Sequence, residues 1–315
     1  MSLLVAIRGW TPEEWVERFR RLMPGRLVFD ARQPFDPEAV THAAVWKPEP
    51  GLLAGLPNLR AVFNLGAGVD ALLADPTLPR VPIARIVDPD LTARMTEWVV
   101  MNVLMHHRQV HAHADNQRRA VWGTLPQPAA KDVSIGIMGL GVLGRAAAEA
   151  LMALGFHVRG WSRTPHEIDG VECFAGSFGL GPFLGRTDIL VVLLPLTPDT
   201  RGILNKALLD RMRRKNHMGG PVLINGGHGG LEGEADILAA LDYGTLAAAS
   251  LDVFETEPLP AVSPLWAHPR VIVTPHCAAD SDPDALARVI TEAVKREESG
   301  GGIAPETLVD RRTGY

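Results

Sequence analysis

The sequence predicts an α/β protein built from two parallel-sheet units, and three observations carry that expectation. Short apolar runs alternate with helical patterns along the chain, the arrangement expected of parallel strands joined by crossover helices. A glycine turn, Gly139-Leu140-Gly141-Val142-Leu143-Gly144, follows one apolar run and opens an alanine-rich stretch. The chain's 315 residues are also about twice the usual length of one domain.

In the first third, residues 3–7, 27–29, 43–46, 61–65 and 83–86 read as buried strands. Between the first two, Thr11 is placed as a helix cap and Pro12 at the first helical position. Trp15, Phe19 and Leu22 then recur at helical spacing. From Thr92 a long helix is expected, with Met95, Val99, Val103 and Leu104 on one face. A polar run follows it to Trp122, and residues 126–132 form the best linker. Beyond that linker, "VSIGIM" is a strand entering the glycine turn. "RAAAEALMAL" is a helix stopped by Gly155, a natural left-handed cap. Further strands are expected at 156–161, 189–194, 222–225, 247–254 and 271–274. A last helix starts at Asp282-Pro283, carries Leu286, Val289, Ile290 and Val294, and ends in "ESGGG".

Composition narrows the functional classes. With 46% hydrophobic and 21% charged residues, the chain is globular rather than disordered. Its net charge of −5 leaves no basic excess to cover a phosphate backbone, so nucleic acid is not an expected partner. Cys173 and Cys277 form no disulfide framework, which suits a reducing compartment. The amino-terminal apolar run meets Arg8 too soon for a secretion signal, and no run approaches the ~20 apolar residues of a membrane span. The expectation is a soluble, cytoplasmic protein with no membrane partner.

The glycine turn sits where a dinucleotide site requires it, between a strand and a helix. Gly139 would allow the tight turn, Gly141 the approach of backbone to a pyrophosphate, and Gly144 the packing of helix on strand. About 20 residues further on, an NAD-selective site places an acid against the ribose hydroxyls. Here Ser162 and Arg163 stand instead, after Trp161. A hydroxyl and a guanidinium suit a 2′-phosphate, so NADP(H) is the expected cofactor, with NAD(H) as the alternative. In the last third, Asp252, Glu257 and His276 fall at or beyond strand ends, His276 coming 19 residues after Glu257. An imidazole beside a carboxylate is a usable general acid. "HHRQVHAHAD" places His107 and His111 one helical turn apart beside His106 and His113, but no third ligand has fitting spacing, so no metal is expected.

"GLGVLG", "WSRT", "LLPLTPDT", "LDVFETEPLP", "SPLWAHPRV" and "TPHCAA" stand in the order and spacing of the D-isomer-specific 2-hydroxyacid dehydrogenases. The chain resembles that family over essentially its whole length, from "VWKPEPGLLAGLPNLRAVFNLGAGVDALL" to the terminal "VDRRTGY", most nearly its bacterial glyoxylate/hydroxypyruvate reductase A branch. The resemblance implies two Rossmann-like domains. A dinucleotide-binding domain, 99–282, would be inserted into a discontinuous substrate domain, 1–98 and 283–315. It implies cofactor contacts from Gly139, Gly141, Val142, Leu143, Gly144, Trp161, Ser162, Arg163, Leu194, Pro195, Gly227 and Asp252. Asp252 would receive the nicotinamide amide. Substrate would meet Trp46 and the backbone amides of Ala67, Gly68 and Val69, with Glu257 and His276 as the acid–base pair. Trp46 reads equally well as a core side chain. A small 2-oxoacid or 2-hydroxyacid partner and a homodimer are implied too, with residues 111–122 resembling an exchanged arm.

One residue departs from the family pattern. The substrate-binding arginine of Asn-x-x-Arg-Gly is replaced in Asn225-Gly226-Gly227-His228-Gly229 by His228. A histidine lacks the permanent charge and two-pronged grip of arginine, and at an ordinary pKa of ~6.5 it is mostly neutral above pH 7. Arg85 and Arg94 are candidate substitutes. Three readings follow: an NADPH-dependent 2-oxoacid reductase in which His228 is a weakened third catalytic residue; a cofactor-binding sensor or partner module without turnover; and a reductase of a carbonyl compound lacking the carboxylate.

Overall fold

The computed structural model describes residues 2–314; Met1 and Tyr315, the ends of the expected substrate domain, lie outside the described residues. Two compact units form. One takes the chain up to Leu91 and from Ser281 onward, the other Thr92–Asp280.

In the first unit, β1 (Ser2–Ile7), α1 (Pro12–Leu22), β2 (Leu27–Asp30), β3 (His42–Trp46), β4 (Ala61–Asn64), α2 (Asp70–Leu73) and β5 (Ile83–Ala84) follow in order. Among the described residues their strands make a parallel sheet ordered β2-β1-β3-β4-β5. The order reverses between β1 and β3, the position where α/β sheets bind ligands beyond their carboxyl ends. Thr11 is extended as a cap residue should be, yet its side chain makes no capping bond. The start of α1 rests instead on Pro12 and on Glu13 and Glu14 in its first turn. The apolar stripe of α1 buries Trp15, Val16 and Phe19 against the sheet and against Leu286 and Ile290.

The second unit contains α3 (Pro89–His107, which crosses the division), α4 (Val110–Arg118), β6 (Ser134–Met138), α5 (Val142–Ala153), β7 (His157–Ser162), β8 (Glu172–Ala175) and α6 (Gly176–Leu184). It continues through β9 (Ile189–Val192), α7 (Lys206–Leu209), β10 (Val222–Asn225), α8 (Glu234–Asp242), β11 (Ala248–Leu251) and β12 (Val271–Val273). Its parallel sheet is ordered β12-β11-β10-β9-β6-β7-β8 and reverses between β6 and β9, beside the glycine turn. Fully buried Ile135, Ile137, Val191 and Ile224 pack one face under α5. Gly155, with φ +85°, ends α5 as expected.

Several elements differ from the sequence expectation. The polar run after α3 is helix α4, begun where Gln109 takes a left-handed conformation. β11 stops at Leu251 rather than reaching residue 254, because Asp252 turns away into other bonds described below. α6 was not expected: its sequence, GSFGLGPFL, holds three glycines and Pro182, all poor helix formers. No helix among the described residues is long and apolar enough to cross a membrane.

The chain's return to the first unit is made by α9 (Pro283–Arg296), capped by Asp282, whose carboxylate accepts from the amides of Asp284 and Ala285. At its other end, Glu298 takes a two-pronged grip from Arg26, both distances 2.5 Å. Glu297 meets His42 Nε2 at 2.7 Å and Arg60 at 2.9 Å. The Arg26 hydrogen bonds hold the Glu298 carboxyl below the ordinary glutamate value of 4.5. Its contribution to stability is therefore present above that value and lost as pH falls through the lowered one. Arg26→Ala should lower unfolding stability at pH 7 by about 1–3 kcal/mol. The deficit should shrink at pH 3, as read by urea denaturation at both pH values.

Candidate active site

The strand β6 ends at Met138, and Gly139 turns the chain at φ +102°. A Cβ there would come 2.6 Å from the Leu193 carbonyl oxygen, so only glycine fits. The Gly139 amide donates to the Trp161 carbonyl at 2.9 Å, tying the turn to the end of β7. At Gly144, in the first turn of α5, a Cβ would lie 1.9 Å from the Gly139 carbonyl oxygen. Around Gly141 nothing stands within 4 Å of the corresponding point. The turn thus combines two forced close packings with open room at the amino end of a twelve-residue helix, the shape a pyrophosphate requires. Val142 is exposed at that helix end and Leu143 half-buried.

Ser162 ends β7 and is buried; its hydroxyl donates to the Thr164 carbonyl at 2.8 Å and shapes the following turn. Arg163 is exposed. Arg145 donates from Nε to the Leu140 carbonyl at 3.1 Å and lies 3.1 Å from His166 Nδ1. Ser162, Arg163, Thr164 and His166 place no carboxylate in this turn. The Trp161 side chain is buried, and its indole donates to the Gly176 carbonyl at 2.9 Å. Leu194 is buried after β9, and the Pro195 carbonyl accepts from Thr200 at 2.7 Å.

Asn225, the last residue of β10, organises the loop that follows. Its Oδ1 accepts the Gly227 amide at 3.0 Å, while Nδ2 donates to the His228 carbonyl at 3.3 Å and to Glu232 at 2.8 Å. Gly227 has its amide taken and no room for a Cβ, which would stand 2.9 Å from the Leu194 carbonyl oxygen. Gly229 is pressed still more closely, since a Cβ there would stand 1.9 Å from the Phe254 carbonyl oxygen. His228 is half-buried between them.

Asp252 is only 1% exposed, and its carboxylate is already engaged. Oδ1 accepts from the Thr274 hydroxyl at 2.5 Å and from the Cys277 amide at 3.1 Å; Oδ2 accepts the Ala278 amide at 3.0 Å. The Asp252 carbonyl accepts the His276 amide at 2.7 Å. Asp252 is therefore first an anchor for residues 274–278, a role the sequence reading missed. Thr274 and Trp98, whose indole lies 3.3 Å from the Thr274 hydroxyl, were missed with it.

His276 itself has φ +53°, a conformation uncommon for a non-glycine residue, and Asp252 on both sides of the turn holds it there. Its Nδ1 lies 2.8 Å from Glu257 Oε2, and the other Glu257 oxygen accepts the Phe254 amide at 3.1 Å. The carboxylate is thus oriented by backbone and favours the imidazole proton on Nδ1, with Nε2 the ring nitrogen outside that bond. The His276 side chain is 55% exposed.

The remaining predicted residues lie elsewhere. In the first unit, Trp46 is half-buried at the end of β3, stacked on Trp10 at 4.8 Å and pressed on Gly66, where a Cβ would come within 2.2 Å of its ring. Asn64 Nδ2 donates to the carbonyls of Gly66 and Gly68, folding the turn that carries Ala67, Gly68 and Val69. His106 and His107 are core groups. Burial lowers His106 to about 4, beside Ser250 at 2.8 Å, and His107 packs edge-on to Phe156. Among the described residues no cluster of three His, Cys, Asp or Glu side chains has the geometry to hold a metal.

A glycine turn fit for a pyrophosphate and a hydrogen-bonded His276–Glu257 pair stand on the carboxyl edge of one parallel sheet, an arrangement compatible with a nicotinamide-dependent dehydrogenase. The comparison with known proteins is specific. The sequence profile of the D-isomer specific 2-hydroxyacid dehydrogenase NAD binding domain matches residues 100–278. A glyoxylate/hydroxypyruvate reductase A from Serratia proteamaculans is 41% identical over the full length of both chains. Among solved structures, an NADPH-dependent glyoxylate/hydroxypyruvate reductase from Sinorhizobium meliloti, in complex with NADP and sulfate, superimposes with a TM-score of 0.93 at 48% identity over 100% of both chains. A probable 2-hydroxyacid dehydrogenase from Rhizobium etli, in complex with NADP, HEPES and L(+)-tartaric acid, gives 0.94 at 43% identity over 100% of this chain and 99% of that one. The chain belongs to the D-isomer specific 2-hydroxyacid dehydrogenase family.

Replacing Asp252 by alanine strands three donors around a cavity. The variant should lose about 2–4 kcal/mol of unfolding stability. In denaturant titration the loss should appear as a lower midpoint with an unchanged slope.

Proposed function

We propose that the protein reduces a small 2-oxoacid of the glyoxylate or hydroxypyruvate type to the 2-hydroxyacid, using NADPH. The observation that carries this reading is the His276–Glu257 pair, 2.8 Å apart at the carboxyl edge of the sheet that also bears the glycine turn. The names of the similar reductases support it. When bound, the nicotinamide supplies a hydride to the carbonyl carbon. The open turn at Gly141, the α5 amino end and the Ser162, Arg163 segment would hold the dinucleotide, and the lack of a carboxylate in that segment favours the 2′-phosphate form.

In this mechanism His276 donates the Nε2 proton to the carbonyl oxygen, and Glu257 keeps the resulting pair of imidazole nitrogens in register. His228 anchors the substrate's oxygen atoms where an arginine stands in relatives. The substrate carboxylate is received by the amides of Ala67, Gly68 and Val69 beside Trp46. Asp252 offers the remaining capacity of its carboxylate to the nicotinamide amide while holding the His276 turn. We further propose a homodimer: Trp122 stands fully exposed after α4, a surface that a second copy would cover.

Turnover of glyoxylate and hydroxypyruvate with NADPH tests the reading directly. His276→Ala should lower the rate at least ~10²-fold with cofactor binding intact. A variant that keeps most of its rate places the proton donor elsewhere.

His228→Arg restores a charge that persists across the whole assay range. It should raise kcat/KM for 2-oxoacids on the order of tenfold or more and flatten the part of the pH profile that belongs to position 228. No gain on any 2-oxoacid would favour a carbonyl substrate without a carboxylate.

A further inference from the structure

The loop after β10 reads Gly226-Gly227-His228-Gly229-Gly230, and so has almost no side chains of its own with which to hold a shape. A histidine needed at a defined point must therefore be positioned by groups outside the glycines. Asn225 makes two of the bonds that do this: its Oδ1 accepts from the Gly227 amide and its Nδ2 donates to the His228 carbonyl. An asparagine amide is free to rotate about its own side chain unless something fixes it. The group that fixes it is Glu232: Oε1 accepts from Asn225 Nδ2 at 2.8 Å, shorter than the 3.3 Å bond from the same nitrogen to His228.

Glu232 is an unusual choice for that task. It is 5% exposed, sits between Leu231 and Gly233 in register with Leu204, and its second oxygen is buried with no hydrogen-bond partner. A carboxyl group so placed costs stability, and the fold keeps it beside the residue that organises the site.

We propose that Glu232 is a positioning residue for reduction: by clamping the Asn225 amide it fixes the backbone from which His228 meets the substrate. The proposal rests on the reductase reading for its activity readout. Its geometric core, the Glu232–Asn225–Gly227 relay, stands without it. The charged groups that face Glu232 are Glu234, at the start of α8, and Glu257, in the segment after β11; both are negative, and Asn225 is its hydrogen-bonding neighbour. Burial first, and those two carboxylates with it, push its pKa up to about 8. The clamp is therefore mostly an uncharged acid at neutral pH, and alkaline pH places a negative charge under the His228 loop. The sign for stability follows. Relative to an ordinary glutamate, the fold is unburdened below about 4.5 and becomes progressively less stable up to about 8.

The test compares Glu232→Leu, which fills the space without an acceptor, with Glu232→Gln, which keeps the acceptor and cannot ionise. Leucine should raise KM for hydroxypyruvate on the order of tenfold, the scale of one lost buried hydrogen bond, with the NADPH dissociation constant unchanged. It should also speed hydrogen exchange of the Gly227 amide. Glutamine should restore both, and should reduce the fall in Tm expected of the parent between pH 5 and pH 8. A leucine variant with parental KM and exchange, or a glutamine variant no better than leucine, overturns the proposal. If the parent turns over no 2-oxoacid, the reductase reading fails, and Gly227 exchange with the Tm profile decides this proposal alone. Should the leucine variant not fold, the glutamine variant's Tm profile against the parent's decides it: an unchanged slope overturns it.

Discussion

Asp252 is the residue on which the architecture of the site converges. Its carboxylate is buried, which is costly unless every lone pair facing the protein finds a donor, and the chain supplies three from a single short segment. Those bonds bring the end of β12 back over the end of β11 and set His276 at a left-handed backbone angle that few side chains would adopt unaided. Through Thr274 the same anchor reaches Trp98, and Trp98 in turn packs where Gly226 has no side chain. Parallel strands β10, β11 and β12 put three loops on one edge. The buried carboxylate makes those loops into one site.

Much of this was legible beforehand, for physical reasons. Glycines at 139 and 144 are demanded by contacts under 3 Å, and the sequence shows them because no other residue fits. Long apolar alternation located the central strands of both sheets. The pairing of Glu257 with His276 was legible from the family motifs rather than from spacing, since 19 intervening positions say nothing about distance by themselves. What stayed hidden was the support beneath the site. Nothing in a linear reading says that Asp252 faces Thr274, or that Glu232 faces Asn225, because each contact is created by strand order in three dimensions. The α6 helix was hidden for the opposite reason: its local composition argues against the structure that tertiary packing imposes.

If His228 takes the substrate-anchoring place proposed for it, the site's chemistry is shared differently. A guanidinium brings its own charge and a planar fork, and tolerates some looseness in the backbone beneath it. An imidazole offers one donor in one direction, so its usefulness depends on where the backbone puts it. The hydrogen bonds from Asn225 and the close packing of Gly227 and Gly229 against Leu194 and Phe254 are what such a residue needs. The loop is glycine-rich yet crowded by backbone on both sides.

The first unit has a property that concerns synthesis rather than catalysis. Its β5 strand is bonded by residues near the carboxyl terminus: Arg85 donates to the Thr307 carbonyl, and Val309 to that of Ile83. Among the described residues, Arg26, His42 and Arg60 find their carboxylates on residues 297 and 298. While the chain is being made, the amino-terminal strands therefore emerge early and wait, with buried-to-be arginine and histidine unpaired, through the production of the whole second unit. That unit has all of its own strands by Val273 and can close first. The first unit is completed only by residues that follow the second unit along the chain, so a chain cut after Asp280 carries every strand of the second unit attached to an unfinished sheet.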